Sequence, residues 1–269
     1  MQVATEKVEA KELVYGNTET FLLPSGFEVT IREQNGNDDD ILTNKATAQD
    51  MSNFDIFIAG IVVKTDLPFN VNGRLTVDGA KRLLLRDKYF ILFKSRIHSI
   101  GKEISFDYSW SKKEKADNYT EDLTNYIWDY NETFPVEGDD NYFSERIKPY
   151  QKECYNPVVI TTPSGKEIRL NLLNGIGEKF LLQLPESEQT KNKELEARNI
   201  ELKNDKGVWE KIKNFTMFNL KDMGYIRKVV AEIDPSLTLT TKVENPKDQS
   251  QSDNFPILAL KSFFFPEEI

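Results

Sequence analysis

The sequence predicts an α+β fold of two related halves, each a small antiparallel β-hairpin packed on helices, with a further β-hairpin at the C-terminus. Two observations predict it. A motif at residues 22–36 returns without a gap at 161–175, and the elements after each copy come in the same order. The chain has 269 residues, enough for one large domain or two ordinary ones. The boundaries read as 1–110 for the first half, 111–156 for a connecting segment, 157–243 for the second half, and 244–269 for a C-terminal hairpin strand and tail.

In the repeat, Pro24, Ser25, Gly26, Glu28, Asn35 and Gly36 meet Pro163, Ser164, Gly165, Glu167, Asn174 and Gly175. Val29 and Ile31 meet Ile168 and Leu170. Pro-Ser-Gly is turn chemistry, because proline presets φ and glycine accepts positive φ. Strands are expected on each side of it, at 19–23 and 28–34, and at 158–162 and 167–172. Alternating Val29 and Ile31, or Ile168 and Leu170, give each second strand one buried face. Asn-Gly closes each strand. Asn37 then reads as a helix cap and Asp38, Asp39 and Asp40 as first-turn carboxylates, rather than as a metal site.

Helices are expected next at 54–65 and 76–100, where Leu83, Leu84, Tyr89, Phe90, Leu92, Phe93, Ile97 and Ile100 fall at helical spacing. Gly101 reads as the C-terminal stop. Ile104, Phe106, Tyr108 and Trp110 alternate as a strand over 103–110. In the second half, 192–203, 208–214 and 220–233 read as helices. Pro235 ends the last, and 237–243 reads as strand.

The connecting segment is acidic and aromatic, with Tyr119, Tyr126, Trp128, Tyr130, Phe134, Tyr142, Phe143 and Tyr150. A polar loop is expected at 112–115 and a short helix at 122–130. Its aromatics either pack between the halves or form a contact surface for another protein. At the end, strands at 237–243 and 255–265 flank a polar stretch, 244–254. Phe263, Phe264 and Phe265 near the chain end would be an aggregation hazard in water. Either they tuck into the chain's own core or they dock on a partner.

Composition narrows function. Lys and Arg total 35 against 44 Asp and Glu, a net charge of −9, which argues against a general binder of nucleic acid or anionic membranes. One Cys and one His leave no intrachain disulfide, no zinc knuckle and no Cys-x-x-Cys pair. His98, near the end of a helix, reads as a dipole or surface residue, and Cys154 as an unactivated thiol. No phosphate-loop or dinucleotide glycine pattern is present, and Gly175-Ile-Gly177 reads as turn chemistry. The first eleven residues lack an apolar stretch of the signal-peptide kind, and Asp55 interrupts the longest apolar run, 54–63. The sequons at Asn118, Asn131 and Asn214 are therefore read as unglycosylated in a reducing cytosol.

Several motifs in order carry a resemblance: Pro-Ser-Gly before a strand, Asp39-Asp40-Ile41-Leu42-Thr43, Arg86-Asp87-Lys88-Tyr89 followed by Arg96-Ile97 and Ile100-Gly101, and the terminal Phe263-Phe264-Phe265-Pro266. The chain resembles the baseplate hub proteins of contractile-tailed bacteriophages, typified by the T-even phages. The resemblance implies a structural or assembly component of the tail baseplate without catalytic activity and without a cofactor. It also implies partners among hub, wedge or tape-measure proteins, a threefold or sixfold setting, and a place in the virion after assembly in the host cytoplasm. Nucleic acid and membrane are not among the implied partners. Many family members carry Cys-x-x-Cys pairs in loops corresponding to 109–117 and 244–253. Here Ser109, Trp110, Ser111, Asn245 and Ser250 stand there instead, so hairpin packing is expected in place of a zinc staple. The alternative within this class is a tail-assembly factor absent from the mature particle. The residues expected to contact partners are Phe263, Phe264, Phe265, Trp128 and Tyr130.

Overall fold

Strand β1 (Thr18–Leu22) pairs antiparallel with β2 (Glu28–Arg32) across the first Pro-Ser-Gly turn. Gly26, at φ +79°, donates to Leu23 O at 2.7 Å, and Leu23 donates to Phe27 O at 2.8 Å. The same turn recurs between β6 (Val158–Thr161) and β7 (Glu167–Leu170). There Gly165, at φ +86°, donates to Thr162 O at 2.8 Å, and Thr162 donates to Lys166 O at 2.8 Å. The computed structural model of the chain describes residues 16–111, 115–126, 154–234, 237, 239–259 and 261–264.

Each Asn-Gly opens a helix, α1 (Gly36–Thr43) in the first half and α6 (Gly175–Leu182) in the second. The caps are Asn35 and Asn174, whose side chains accept N–H groups of the first turn. The expected cap at Asn37 is thus two residues late. Asp38 does more than sit near a helix dipole, because it returns to the Asn35 N–H at 2.8 Å and pairs, buried, with Arg32 at 2.7 Å.

After α2 (Lys45–Ala48) comes α3 (Ser52–Ile61), and β3 (Val62–Thr65) then pairs with β2. The helix expected over 54–65 therefore stops at Ile61, where Val62 and Val63 begin a run that suits a strand. The run expected as one helix over 76–100 is two, α4 (Val77–Lys81) and α5 (Leu85–Ser99), because 82–84 turn to meet the second half. Gly101 ends α5 at φ +119°, donating to Ile97 O at 3.0 Å. Strand β4 (Glu103–Tyr108) then pairs with β5 (Asp117–Asp122), followed by a 3-10 turn, Leu123–Tyr126, where a short helix is expected over 122–130.

In the second half, α7 (Lys191–Ala197) leads to strands β8 (Glu201–Lys203) and β9 (Trp209–Lys211), giving the sheet order β6-β7-β8-β9. The helices expected over 192–203 and 208–214 are corrected here. Asn199 leaves the helix at φ 54°, and Asn204 Oδ1 accepts the N–H groups of Lys206 and Val208, closing a hairpin through Gly207. Helix α8 (Leu220–Ile233) has the expected bounds, with Met223, Ile226, Val229 and Ile233 buried.

Strand β10 (Thr240–Asn245) pairs with β11 (Asp248–Pro256), then a 3-10 turn, Ile257–Ala259, and α9 (Lys261–Phe264). The polar stretch expected as a loop is mostly strand, held by backbone pairing, while the apolar stretch after it turns helical. In both halves the hairpin's second strand pairs with a strand beyond intervening helices, as β2 does with β3 and β7 with β8. In both, a long helix then leads to a hairpin, α5 to β4–β5 and α8 to β10–β11.

Two cores result. One gathers Val29, Ile31, Phe57, Ile58, Ile61, Ile91, Leu92 and Phe93 and takes in Val243, Ile257, Phe263 and Phe264 from the C-terminal segment. The other gathers Ile160, Ile168, Leu170, Ile200, Ile226 and Val229. No helix among the described residues is long and apolar enough to cross a membrane.

Candidate functional site at the junction of the halves

The halves meet where the start of α5 crosses the loop before α6. Leu85 donates to Leu173 O at 3.0 Å and Gly175 to Leu83 O at 3.1 Å, an antiparallel bridge between Leu84 and Asn174. The approach is close: a Cβ on Gly175 would lie 2.9 Å from Lys81 O.

The first turn of α5 carries Arg86, Asp87, Lys88 and Tyr89, all buried. Asp87 accepts the Ser25 N–H at 3.1 Å and the Tyr155 hydroxyl at 2.6 Å. Burial pushes its carboxyl up to about 6, against the pull of its Ser25 and Tyr155 hydrogen bonds and of Arg86. Burial beside Asp87 in turn raises the Tyr155 hydroxyl and the Cys154 thiol, so the thiol stays protonated.

Lys88, 2 % exposed, places Nζ 3.0 Å from Glu178 on α6 and 3.1 Å from Asp55 on α3, the latter an ion pair without hydrogen-bond alignment. The Tyr89 hydroxyl also donates to Glu178. Burial raises the Asp55 carboxyl, with Lys88 working against it. Lys179 Nζ, the next residue on α6, reaches Asp50 at 2.5 Å. That hydrogen bond, with those from Ser52, holds the Asp50 carboxyl well below its usual range. Beside the bridge opens a cleft of about 380 Å³, lined by Phe69 and Arg82 from the first half, Tyr155 and Asn156 from the end of the connecting segment, and Asn171 and Asn174 from the second half.

The residues expected to contact partners fall elsewhere. Phe263 and Phe264 are buried in the chain's own core, so the tucked-in alternative holds for these two. Phe263 meets Phe93 edge-on at 5.1 Å, and Phe264 lies 5.4 Å from Phe54. Neither ring stands on the surface as the reading of them as partner contacts expects. Phe265, Trp128 and Tyr130 lie outside the described residues. Of the segment's aromatics, Tyr126 stacks on Phe93 at 5.4 Å and Tyr119 on Phe106 at 5.8 Å, so both pack inward.

The β4–β5 and β10–β11 hairpins touch. Phe106 stacks on Phe255 at 5.6 Å, Tyr108 donates to Asp253 at 2.5 Å, and Tyr119 donates to Glu244 O at 2.9 Å. Among the described residues no group of three or more His, Cys, Asp or Glu gathers as for a metal. His98 sits in the last turn of α5 with Nδ1 3.5 Å from Glu19.

In the sequence Arg86, Asp87 and Lys88 stand out only within the motif of resemblance. The signal that marks these residues as a junction is three consecutive charges in the first turn of a helix whose next five residues, Tyr89 to Phe93, are aromatic or aliphatic. No family model, curated protein or solved structure matches the chain.

Proposed function

We propose that this chain is a non-enzymatic structural component of the hub region of a contractile tail baseplate, acting through protein–protein interfaces in baseplate assembly. The observation that carries the interface reading is α6. Its sequence is apolar, yet the residues it buries are Gly175 and Gly177, while Ile176 is 56 % and Leu182 50 % exposed. Val159, Val208, Met217 and Leu220 add exposed apolar side chains in the same half, Leu220 at 90 %. A helix held by an ion pair and a backbone bridge, with Ile176 and Leu182 turned outward, is built to be covered by another protein.

The order of the motifs supplies the kind of assembly. Its partners are hub, wedge or tape-measure proteins in a threefold or sixfold setting within the virion. Mass spectrometry of purified, DNase-treated particles tests this, with copy number set against the tail-tube protein. A small fixed copy number is expected. Presence in the infected lysate but not in particles makes the chain an assembly factor instead, and absence from both overturns the reading.

A further inference from the structure

The cleft beside the bridge has chemistry that the junction does not use. Arg82 is exposed, and its guanidinium is held 5.3 Å above the ring of Phe69. Phe69 is braced edge-on by Tyr155 at 5.2 Å, and Tyr155 is anchored through its hydroxyl on Asp87. The cation is thus positioned through two rings and a buried carboxylate, while no carboxylate among the described residues pairs with it.

Around it, the side-chain amides of Asn156 and Asn171 make no hydrogen bond to any described residue. Asn174 uses its Oδ1 on the Gly177 N–H, at 3.0 Å. In a chain of net charge −9, an arginine with no carboxylate partner among the described residues, set among amides in a cleft, is a local exception. A planar guanidinium matches a carboxylate bidentately. The amides supply both donors and acceptors, which a peptide backbone satisfies with its own C=O and N–H groups and a simple carboxylate does not. The bridged residues Leu84 and Asn174 both line the cleft, so backbone hydrogen bonds hold that part of its wall before anything binds.

We propose that this cleft binds an acidic, extended peptide segment of a partner protein. Arg82 takes its carboxylate, and Asn156 and Asn171 its backbone groups. The inference stands on the cleft alone and does not require the baseplate reading.

The test is NMR titration of the full chain with a blocked tri-glutamate peptide, following the side-chain amides of Asn156, Asn171 and Asn174 and the Arg82 Nε–H. Saturable shifts at these groups are expected, with none from tri-glutamine. Arg82→Gln should weaken binding by at least about tenfold, the worth of one charge-assisted pair, with the rest of the spectrum unmoved as proof of folding. Arg82→Lys should fall between. No saturable shift at millimolar peptide overturns the proposal, as does equal binding by Arg82→Gln. Glutarate binding as tightly as the peptide overturns the peptide assignment in favour of a small dicarboxylate.

Discussion

Asp87 accepts the backbone N–H of Ser25 at 3.1 Å, tying the first turn of α5 to the turn of the β1–β2 hairpin. The second half repeats the tie. Asp222, in the first turn of α8, accepts the Ser164 N–H at 3.0 Å from the turn of the β6–β7 hairpin. The two carboxylates nevertheless differ. Burial works to raise Asp222 too, but the Ser164 hydroxyl at 2.7 Å and nearby Lys166 prevail, and the group sits below its ordinary value. At Asp87 burial outweighs the Ser25 and Tyr155 hydrogen bonds and the Arg86 charge, and it sits at about 6. One tie is therefore sensitive to mild acid and the other is not.

Asp87 should make stability rise on mild acidification. Unfolded, it titrates near 3.8, and folded at about 6. Between those values the folded chain holds a proton that the unfolded chain has lost, so stability grows as pH falls through 6 towards 4. Above 6 the full cost of ionising a buried carboxyl is present, on the order of 3 kcal/mol. Asp87→Asn keeps an acceptor for Ser25 and removes the titration. Urea unfolding from pH 4.5 to 7.5 should show the variant gaining on the wild type as pH rises, and parallel curves would disprove the role.

Lys88 should be the most costly single charge to remove. Lys88→Met leaves Asp55 and Glu178 facing each other in the interior with no cation between them. Breaking a buried pair in this way costs about 3–5 kcal/mol. Glu178→Gln should cost less, because the amide oxygen still accepts from Lys88 while the amide NH2 donates to the Tyr89 oxygen, which turns from donor to acceptor. Adding Asp55→Asn and Glu178→Gln to Lys88→Met should recover much of the loss in a denaturant midpoint. No recovery would mean the effect is packing rather than charge.

What was legible in the sequence follows from where local chemistry decides structure. Pro-Ser-Gly, the alternation in β2 and β7, and the 3.6-residue period of α8 are local signals, and the structure follows each. The failures occur where pairing partners decide. Residues 62–65, 201–203 and 209–211 become strands because β2, β7 and β8 offer backbone groups to them, which no window of sequence displays. The polar β11 is the extreme case, a strand with almost no apolar face. The junction was hidden for the same reason. Lys88 and Glu178 are ninety residues apart, and nothing local marks them as neighbours. Arg82 and the asparagines read singly as ordinary surface residues.

Two glycine-to-alanine changes should move stability in opposite directions. At Gly175 a Cβ would meet the backbone oxygen of Lys81 at 2.9 Å, a contact no side-chain rotation relieves, so Gly175→Ala must spread the bridge between the halves. Gly224 lies exposed inside α8 with nothing within 4 Å of its Cβ position. Gly224→Ala should therefore stabilise by about 0.5–1 kcal/mol, the helix-propensity difference. Thermal unfolding separates the two at once. Equal shifts of the same sign would show that the close approach at Gly175 is not present in solution.

The C-terminal phenylalanines should behave as core. Phe263 is fully buried between Phe93 and Phe264, and Phe264 continues the contact to Phe54 and Phe57 on α3. Phe263→Ala leaves a ring-sized void at a site walled by other aromatics, which collapse poorly, so a loss of about 3–5 kcal/mol is expected. Deleting residues 262–269 removes both rings and uncovers Phe54 and Phe57 on α3 and Phe93 on α5. The truncated chain should aggregate, as read by light scattering during purification. A soluble, folded truncation that fails only in assembly would return these rings to the role of partner contacts.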